Sequence, residues 1–125
     1  MPNRVPKIIL VVEDDDSVRS VVRRMLERHG YTVLDAADGP QALYICSAFG
    51  APPDLVITDI VMPEMTGREL VRQLSKAGHT PRVLLMSGHP KRGSREVVID
   101  VTSPFIEKPF SLEELEQKVH EVLDA

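Results

Sequence analysis

Cysteine is scarce in this sequence of 125 residues, and Cys46 is its single example. One cysteine excludes an internal disulfide and a zinc site built from cysteines, and it fits a reducing compartment. Long apolar runs are also missing, since no stretch approaches the roughly 18 residues of a membrane span. The N-terminal MPNRVPK has no signal-peptide core. We therefore expect a cytoplasmic location and no membrane span.

An excess of basic residues is absent as well. Fifteen lysines and arginines against nineteen acidic residues give a net charge of -4, which is weak evidence against a direct nucleic-acid partner. The length and the hydrophobic content of 42% are ordinary for one soluble globular domain. No linker, repeat or low-complexity tract divides the chain. We expect one domain over residues 1–125, in which residues 1–5 form an N-terminal tail.

Short β-rich runs alternate with helical patterns along the chain. The strand candidates are residues 7–12, 32–36, 55–58, 82–87 and 105–107. The first, third and fourth are almost continuously apolar, which is typical of parallel strands covered on both faces. Strict alternation with short connections predicts a doubly wound (βα)5 domain of the α/β class with a five-stranded parallel sheet. Ligands of such sheets bind at the carboxyl ends of the strands.

Four helical patterns are clear. The apolar residues predicted to face inward are, in chain order, Val18, Val21, Val22, Met25 and Leu26; Ala42, Ile45, Cys46 and Phe49; Leu70, Val71 and Leu74; and Leu112, Leu115, Val119, Val122 and Leu123. The capping-box patterns Thr66-x-x-Glu69 and Ser111-x-x-Glu114 begin the third and the last of these helices. Residues 91–104 should hold the fourth of five helices, but β-branched residues crowd that stretch. We expect a short or irregular helix there.

Polar side chains follow the ends of four predicted strands. The first strand ends in Glu13 and Asp14, the third in Asp59, and the fourth in Ser87, while the fifth leads into Lys108. Parallel strand ends meet at one edge, where three carboxylates repel one another unless a proton or a cation relieves them. Oxygen ligands without nearby histidine or thiolate favour Mg²⁺. Together with a lysine and a hydroxyl, this set suits a phosphoryl group, with a carboxylate as nucleophile.

Each of these elements also has a purely structural interpretation. The run EDDD at residues 13–16 is often a solvated helix start, and Ser87 can belong to an ordinary turn at a strand end. Lys108 can be an exposed charge, and Asp59 can cap a helix or lie in a loop. Their joint placement at four strand ends is what favours a functional site.

Four motifs carry a family resemblance, namely IILVVEDD, VITDIVMPEMTG, VLLMSG and FIEKPF. In this order they resemble the CheY-like receiver domain of response regulators in two-component signalling, over residues 6–124. The resemblance implies the flavodoxin-like strand order 2-1-3-4-5. It also implies a phosphoacceptor switch that takes a phosphoryl group from a histidine kinase or phosphotransfer domain. Such a switch assists its own phosphorylation and dephosphorylation and is no conventional enzyme. No output domain is expected in the chain.

The resemblance also assigns the metal site. It makes Asp59 the phosphoacceptor and Glu13 and Asp14 the acidic pair, with Asp14 as a direct Mg²⁺ ligand. It implies that Val61 offers its backbone carbonyl to the same ion.

The remaining roles concern phosphoryl contacts and switching. By the resemblance, Ser87 and Lys108 contact the phosphoryl oxygens, and the bond between Lys108 and Pro109 is cis. We expect the Lys108 ammonium to pair with the phosphoacceptor before phosphorylation. Ser87 and Phe105 match the hydroxyl and the aromatic residue that couple the site to the surface. That surface comprises the fourth helix, the fifth strand and the last helix, and a homodimer through it is one expectation. The marginal helix predicted within residues 91–103 is the expected moving part.

Two other functions compete with the phosphoacceptor switch. One is a Mg²⁺-dependent phosphatase similar to the haloacid dehalogenases, with Asp59 as nucleophile. Such enzymes typically carry a second aspartate two residues later, where this chain has Val61, and that difference counts against turnover. The other is a degenerate receiver that only binds partners, which intact Asp14, Asp59 and Lys108 argue against.

Overall fold

The computed structural model describes residues 6–62, 64–78, 81–87 and 104–124. Within these residues the elements are, in chain order, β1 (Ile8–Val12), α1 (Asp16–Arg28), β2 (Thr32–Ala36), α2 (Gly39–Phe49), β3 (Leu55–Asp59), α3 (Gly67–Lys76), β4 (Arg82–Ser87), β5 (Phe105–Glu107) and α4 (Leu112–Asp124). The label α4 thus denotes the final helix. The expected tail at 1–5 and the expected moving segment at 91–103 lie outside the described residues and stay predictions.

The five strands form one parallel sheet in the order β2-β1-β3-β4-β5. This arrangement confirms the predicted doubly wound architecture and its strand order. Three strands have the predicted bounds, whereas β1 begins one residue later, at Ile8, and β3 continues through Asp59. Asp59 is paired in register with Met86 of β4. The backbone of this acid is therefore part of the sheet itself.

Apolar clusters cover both faces of the sheet, and β1 shows why. Its side chains alternate in direction, so that Ile9 and Val11 pack with α1 and α4, whereas Leu10 and Val12 pack with α2 and α3. All four side chains are fully buried. The continuous apolar run in the sequence thus results from a strand that is covered on both sides.

Three residues predicted to face inward are instead substantially exposed. Val21 is 46% exposed, because Val22, Met25 and Leu26 already form the buried stripe of α1 and Val21 lies beside it. Phe49 and Leu112 are 45% and 42% exposed. Phe49 is the last residue of α2 and Leu112 the first of α4, so each lies at a helix end.

Side-chain caps fix where the helices begin. The Asp15 carboxylate accepts a hydrogen bond from the Val18 N–H at 3.1 Å, which starts α1 directly after the end of β1. Before α4, the Ser111 hydroxyl accepts from the Glu114 N–H at 3.0 Å. The Glu114 carboxylate in turn accepts from the Ser111 N–H at 2.8 Å, which completes the predicted capping box.

Among the described helices, none combines the length and the apolar character that crossing a bilayer requires.

Candidate functional site

The carboxyl ends of β1, β3, β4 and β5 bring the predicted site residues to one edge of the sheet. Backbone hydrogen bonds continue the ladders just beyond the strand ends. The Glu13 N–H donates to the Ala36 carbonyl at 3.1 Å, and the Lys108 N–H donates to the Ser87 carbonyl at 2.7 Å. The backbones that carry Glu13 and Lys108 are therefore anchored to neighbouring strands.

Lys108 bridges two carboxylates at this edge. Its Nζ lies 2.8 Å from Oδ1 of Asp59 and 2.6 Å from Oε1 of Glu13. The side chains of Glu13 and Asp59 are only 1% and 9% exposed, while that of Lys108 is 25% exposed. The expected pairing of Lys108 with Asp59 is present. The second contact, with Glu13, was not predicted from the sequence.

The three groups shift one another's protonation. Burial is the largest influence on Asp59 and raises its pKa to about 7, because the Glu13 charge adds to it and the Lys108 ammonium only partly offsets it. Burial also acts to raise the pKa of Glu13. Hydrogen bonds from Lys108 and from the Asp15 N–H outweigh that effect, so the Glu13 pKa is lowered. Burial disfavours the charged form of Lys108, but its two carboxylate partners raise its pKa overall. Of these two carboxylates, Asp59 is thus the one whose charge is less compensated.

Asp14 completes an acidic group at the site. One carboxylate oxygen from each of Glu13, Asp14 and Asp59 lies within 4.8 Å of the others, and Asp14 is the exposed member. Three oxygen donors at this spacing fit a hard divalent cation such as Mg²⁺, which retains several water ligands. A cation here would also offset the charge repulsion that Lys108 leaves uncompensated at Asp59.

The backbone of Asp59 is held closely by the start of α3. A Cβ atom at Gly67 would overlap the carbonyl oxygen of Asp59, so only glycine allows this approach. The Gly67 N–H donates to the Ile60 carbonyl at 2.9 Å, and the Thr58 hydroxyl donates to the Asp59 carbonyl at 3.0 Å. These contacts hold the backbone from which the Asp59 carboxylate projects.

The other predicted site residues are described, but their roles stay predictions. Ser87 ends β4 and is partly buried, and Val61 is 60% exposed. Phe105 begins β5 and is 43% exposed. The bond between Lys108 and Pro109 is cis, as the resemblance implies.

Comparison with known proteins gives consistent matches over nearly the whole chain. The family model of the response regulator receiver domain matches residues 9–120. The chain belongs to this family.

Curated relatives include a sensor kinase and several response regulators. The chain is 40% identical over 117 residues to the sensor kinase CckA of Brucella abortus, a match that covers 93% of this chain and 12% of the kinase. It is 36% identical over 120 residues to the response regulator MprA of Mycolicibacterium vanbaalenii, covering 95% of this chain and 51% of the regulator. The chain thus spans about half or less of the length of these relatives.

Solved receiver structures have the same fold. The receiver domain of the hybrid histidine kinase CckA superposes with a TM-score of 0.76 at 34% identity, covering 93% of this chain and 98% of the other. The chemotaxis response regulator CheY4 of Vibrio cholerae superposes with a TM-score of 0.76 at 31% identity, covering 94% and 99% of the two chains. The receiver domain of two-component signalling predicted from the motifs is therefore confirmed. Its acidic group is compatible with a phosphoacceptor site.

Arg19 of this receiver domain is a residue adjacent to the site that was not predicted from the sequence. Its Nη1 donates to the carbonyl oxygen of Glu13 at 2.8 Å, so α1 contacts the backbone of the acidic pair itself. The available signal was the spacing of Arg19 three residues after Asp16, which places both on one side of the first helical turns.

Proposed function

We propose that this receiver domain accepts a phosphoryl group on Asp59 from the phosphohistidine of a histidine kinase or a phosphotransfer domain. The observation that carries the proposal is the geometry of Asp59. This carboxylate is buried at a strand end, contacts Lys108 at 2.8 Å and lies beside two further carboxylates. Placing a buried carboxylate beside two others is unfavourable for a purely structural residue. A nucleophile for phosphoryl transfer, by contrast, must be held in a fixed position close to the groups that bind the phosphoryl oxygens.

The transfer step exchanges one bond to phosphorus for another. A carboxylate oxygen of Asp59 attacks the phosphorus atom, and the bond from phosphorus to the donor's imidazole nitrogen breaks with its electron pair moving to that nitrogen. The product is an acyl phosphate on Asp59 and a free histidine on the donor. Lys108 is already within ion-pair distance and supplies positive charge to the phosphoryl oxygens. Ser87 donates a hydrogen bond to the phosphoryl group in this proposal.

Glu13, Asp14 and Asp59 would hold Mg²⁺, and the carbonyl of Val61 would contribute a further oxygen. When bound, Mg²⁺ supplies charge neutralisation for the acidic group and the phosphoryl oxygens. The chain's own contribution is to place two carboxylates rigidly and to leave the third, Asp14, accessible to a hydrated ion.

Switching and partners extend this proposal. Ser87 and Phe105 couple phosphorylation to the surface formed by β5, α4 and the predicted helix within residues 91–103. A homodimer through that surface and a cytoplasmic location stay predictions.

The phosphatase alternative has no support from the family match or from the relatives. Val61, which occupies the position of the second aspartate, has an apolar side chain that can neither donate nor accept a proton. A domain that only binds partners does not require the buried contact between Lys108 and Asp59, which counts against that alternative.

Incubation with Mg²⁺ and a small phosphodonor, followed by intact mass measurement, separates these functions. The proposal predicts one added phosphoryl group per chain, dependent on Mg²⁺ and absent in Asp59→Asn. Continuous release of phosphate without a phosphorylated protein would favour the phosphatase. No added mass under any condition would favour a domain that only binds partners.

A further inference from the structure

Arg19 joins three different parts of the molecule around the loop that carries Asp14. Its guanidinium donates to the Glu13 carbonyl at 2.8 Å and to the Asp16 carboxylate at 2.7 Å, so it contacts both ends of this loop. Its Nε donates to the carboxylate of Asp35 on β2 at 3.2 Å. The side chain is only 18% exposed. The guanidinium is therefore fixed in place by the sheet and by the loop together.

The backbone around Asp14 is held from both sides. Arg19 fixes the Glu13 carbonyl, which precedes Asp14, and the Asp15 N–H, which follows it, donates to the Glu13 carboxylate at 2.9 Å. The Asp15 carboxylate caps α1. Asp14 is itself exposed, so its position depends on these neighbours more than on its own packing.

We propose that Arg19 is a positioning residue for Mg²⁺ binding, which holds the loop so that Asp14 stays within reach of Glu13 and Asp59. This inference rests on the proposed function, since that function includes the metal site. It adds a residue that touches neither the ion nor the phosphoryl group. Groups that orient metal ligands from behind commonly affect affinity about tenfold or more when they are removed.

Charge and geometry make opposite predictions for Arg19. As a mere cation near three carboxylates, it would repel Mg²⁺, and its removal would tighten binding. As a positioning group, its removal would weaken binding. Arg19→Lys keeps the charge but replaces a planar fork with a single ammonium, which cannot hold three acceptors in these directions. A weakened affinity in this variant therefore reports geometry alone.

Arg23 provides a matched control on the same helix. Its Nη1 also contacts Asp35, at 2.7 Å, and its Nε contacts Glu27 at 3.1 Å. No contact joins it to Glu13 or Asp16 among the interactions found in the described part of the chain. Arg23→Lys disturbs the link between α1 and β2 without loosening the loop.

The test is calorimetric titration of Mg²⁺ into wild type, Arg19→Lys and Arg23→Lys, with urea unfolding of each metal-free protein. We expect about tenfold weaker Mg²⁺ binding in Arg19→Lys, near wild-type affinity in Arg23→Lys, and similar urea midpoints for the two variants. Unchanged or tighter binding in Arg19→Lys would overturn the inference, as would equal weakening in Arg23→Lys.

Two further outcomes are covered by the same design. If Arg19→Lys does not fold, Asp35→Asn loosens the same guanidinium from the side of the sheet. Weaker Mg²⁺ binding in that variant would support the inference, and wild-type affinity would overturn it. If wild type itself binds no Mg²⁺, the metal site of the proposed function fails and the inference fails with it. If wild type binds Mg²⁺ and Arg19→Lys binds it with the same affinity, only the positioning role of Arg19 is refuted, and the metal site of the proposed function stands.

Discussion

Replacing Asp59 by asparagine should stabilise the metal-free protein at slightly alkaline pH, although it removes one partner of a buried ion pair. Burial, reinforced by Glu13 and partly offset by Lys108, raises the pKa of Asp59 from 3.8 to about 7. Between these values the folded protein keeps a proton that the unfolded chain has released. The free energy of unfolding of the wild type therefore falls as pH rises through this window, and the loss is complete above about pH 7.

The size of the effect follows from the same shift. One pKa unit corresponds to about 1.4 kcal/mol, so an ionised Asp59 costs the folded state up to about 4 kcal/mol. Asp59→Asn resembles the neutral acid in size and can still accept a hydrogen bond from Lys108. The asparagine amide fits this buried position less well than the protonated acid does. This imperfect contact costs the folded state of the variant about 1–2 kcal/mol. We expect a gain of about 2 kcal/mol at about pH 8 and almost none at about pH 5.

This gain is measured by urea unfolding in the presence of a metal chelator. Unfolding is monitored by circular dichroism because the chain has no tryptophan. Glu121→Gln is the control, since it removes one negative charge from a side chain that is 57% exposed. Destabilisation by Asp59→Asn at about pH 8 would refute the reasoning. So would an equal gain at both pH values, or an equal gain in the control.

Three further predictions test the surroundings of the site. Lys108→Met leaves the carboxylates of Glu13 and Asp59 without their shared cation, and we expect it to lower the free energy of unfolding by about 3 kcal/mol in the same urea assay. Gly67→Ala forces a methyl group against the Asp59 carbonyl, so we expect a loss of about 2 kcal/mol, and a neutral result would show that α3 can move away. Asp14→Ala should weaken Mg²⁺ binding at least about tenfold by calorimetry without changing the urea midpoint, and unchanged affinity would contradict the metal site.

The strands were the most predictable part of the fold. Parallel strands covered on both faces leave continuous apolar runs, and these gave bounds within one residue of the observed ones. Helix faces were less predictable. Val21 lies beside the buried stripe of α1, and Phe49 and Leu112 lie at helix ends. All three have the right periodicity, but their burial depends on tertiary packing that local sequence does not encode.

The site shows the same division between local and tertiary information. The positions of Asp14, Asp59 and Lys108 follow from strand ends, because parallel topology brings those ends together. The contact between Lys108 and Glu13 joins residues 95 positions apart in the sequence, and it depends on side-chain direction at two strand ends. The contact of Arg19 with the Glu13 carbonyl is a side-chain to backbone bond, so the spacing of Arg19 and Asp16 places both residues on one side of α1 but does not identify this acceptor.

Site mapping tests most directly whether Asp59 is the carboxylate that accepts the phosphoryl group. The protein is incubated with Mg²⁺ and a small phosphodonor and then treated with borohydride, which reduces an aspartyl phosphate to homoserine. Peptide mass analysis then locates the converted residue. We expect conversion at Asp59, with Asp14 and Asp54 unchanged in the same sample. Conversion at another carboxylate, or phosphorylated protein in which Asp59 is intact, would contradict it.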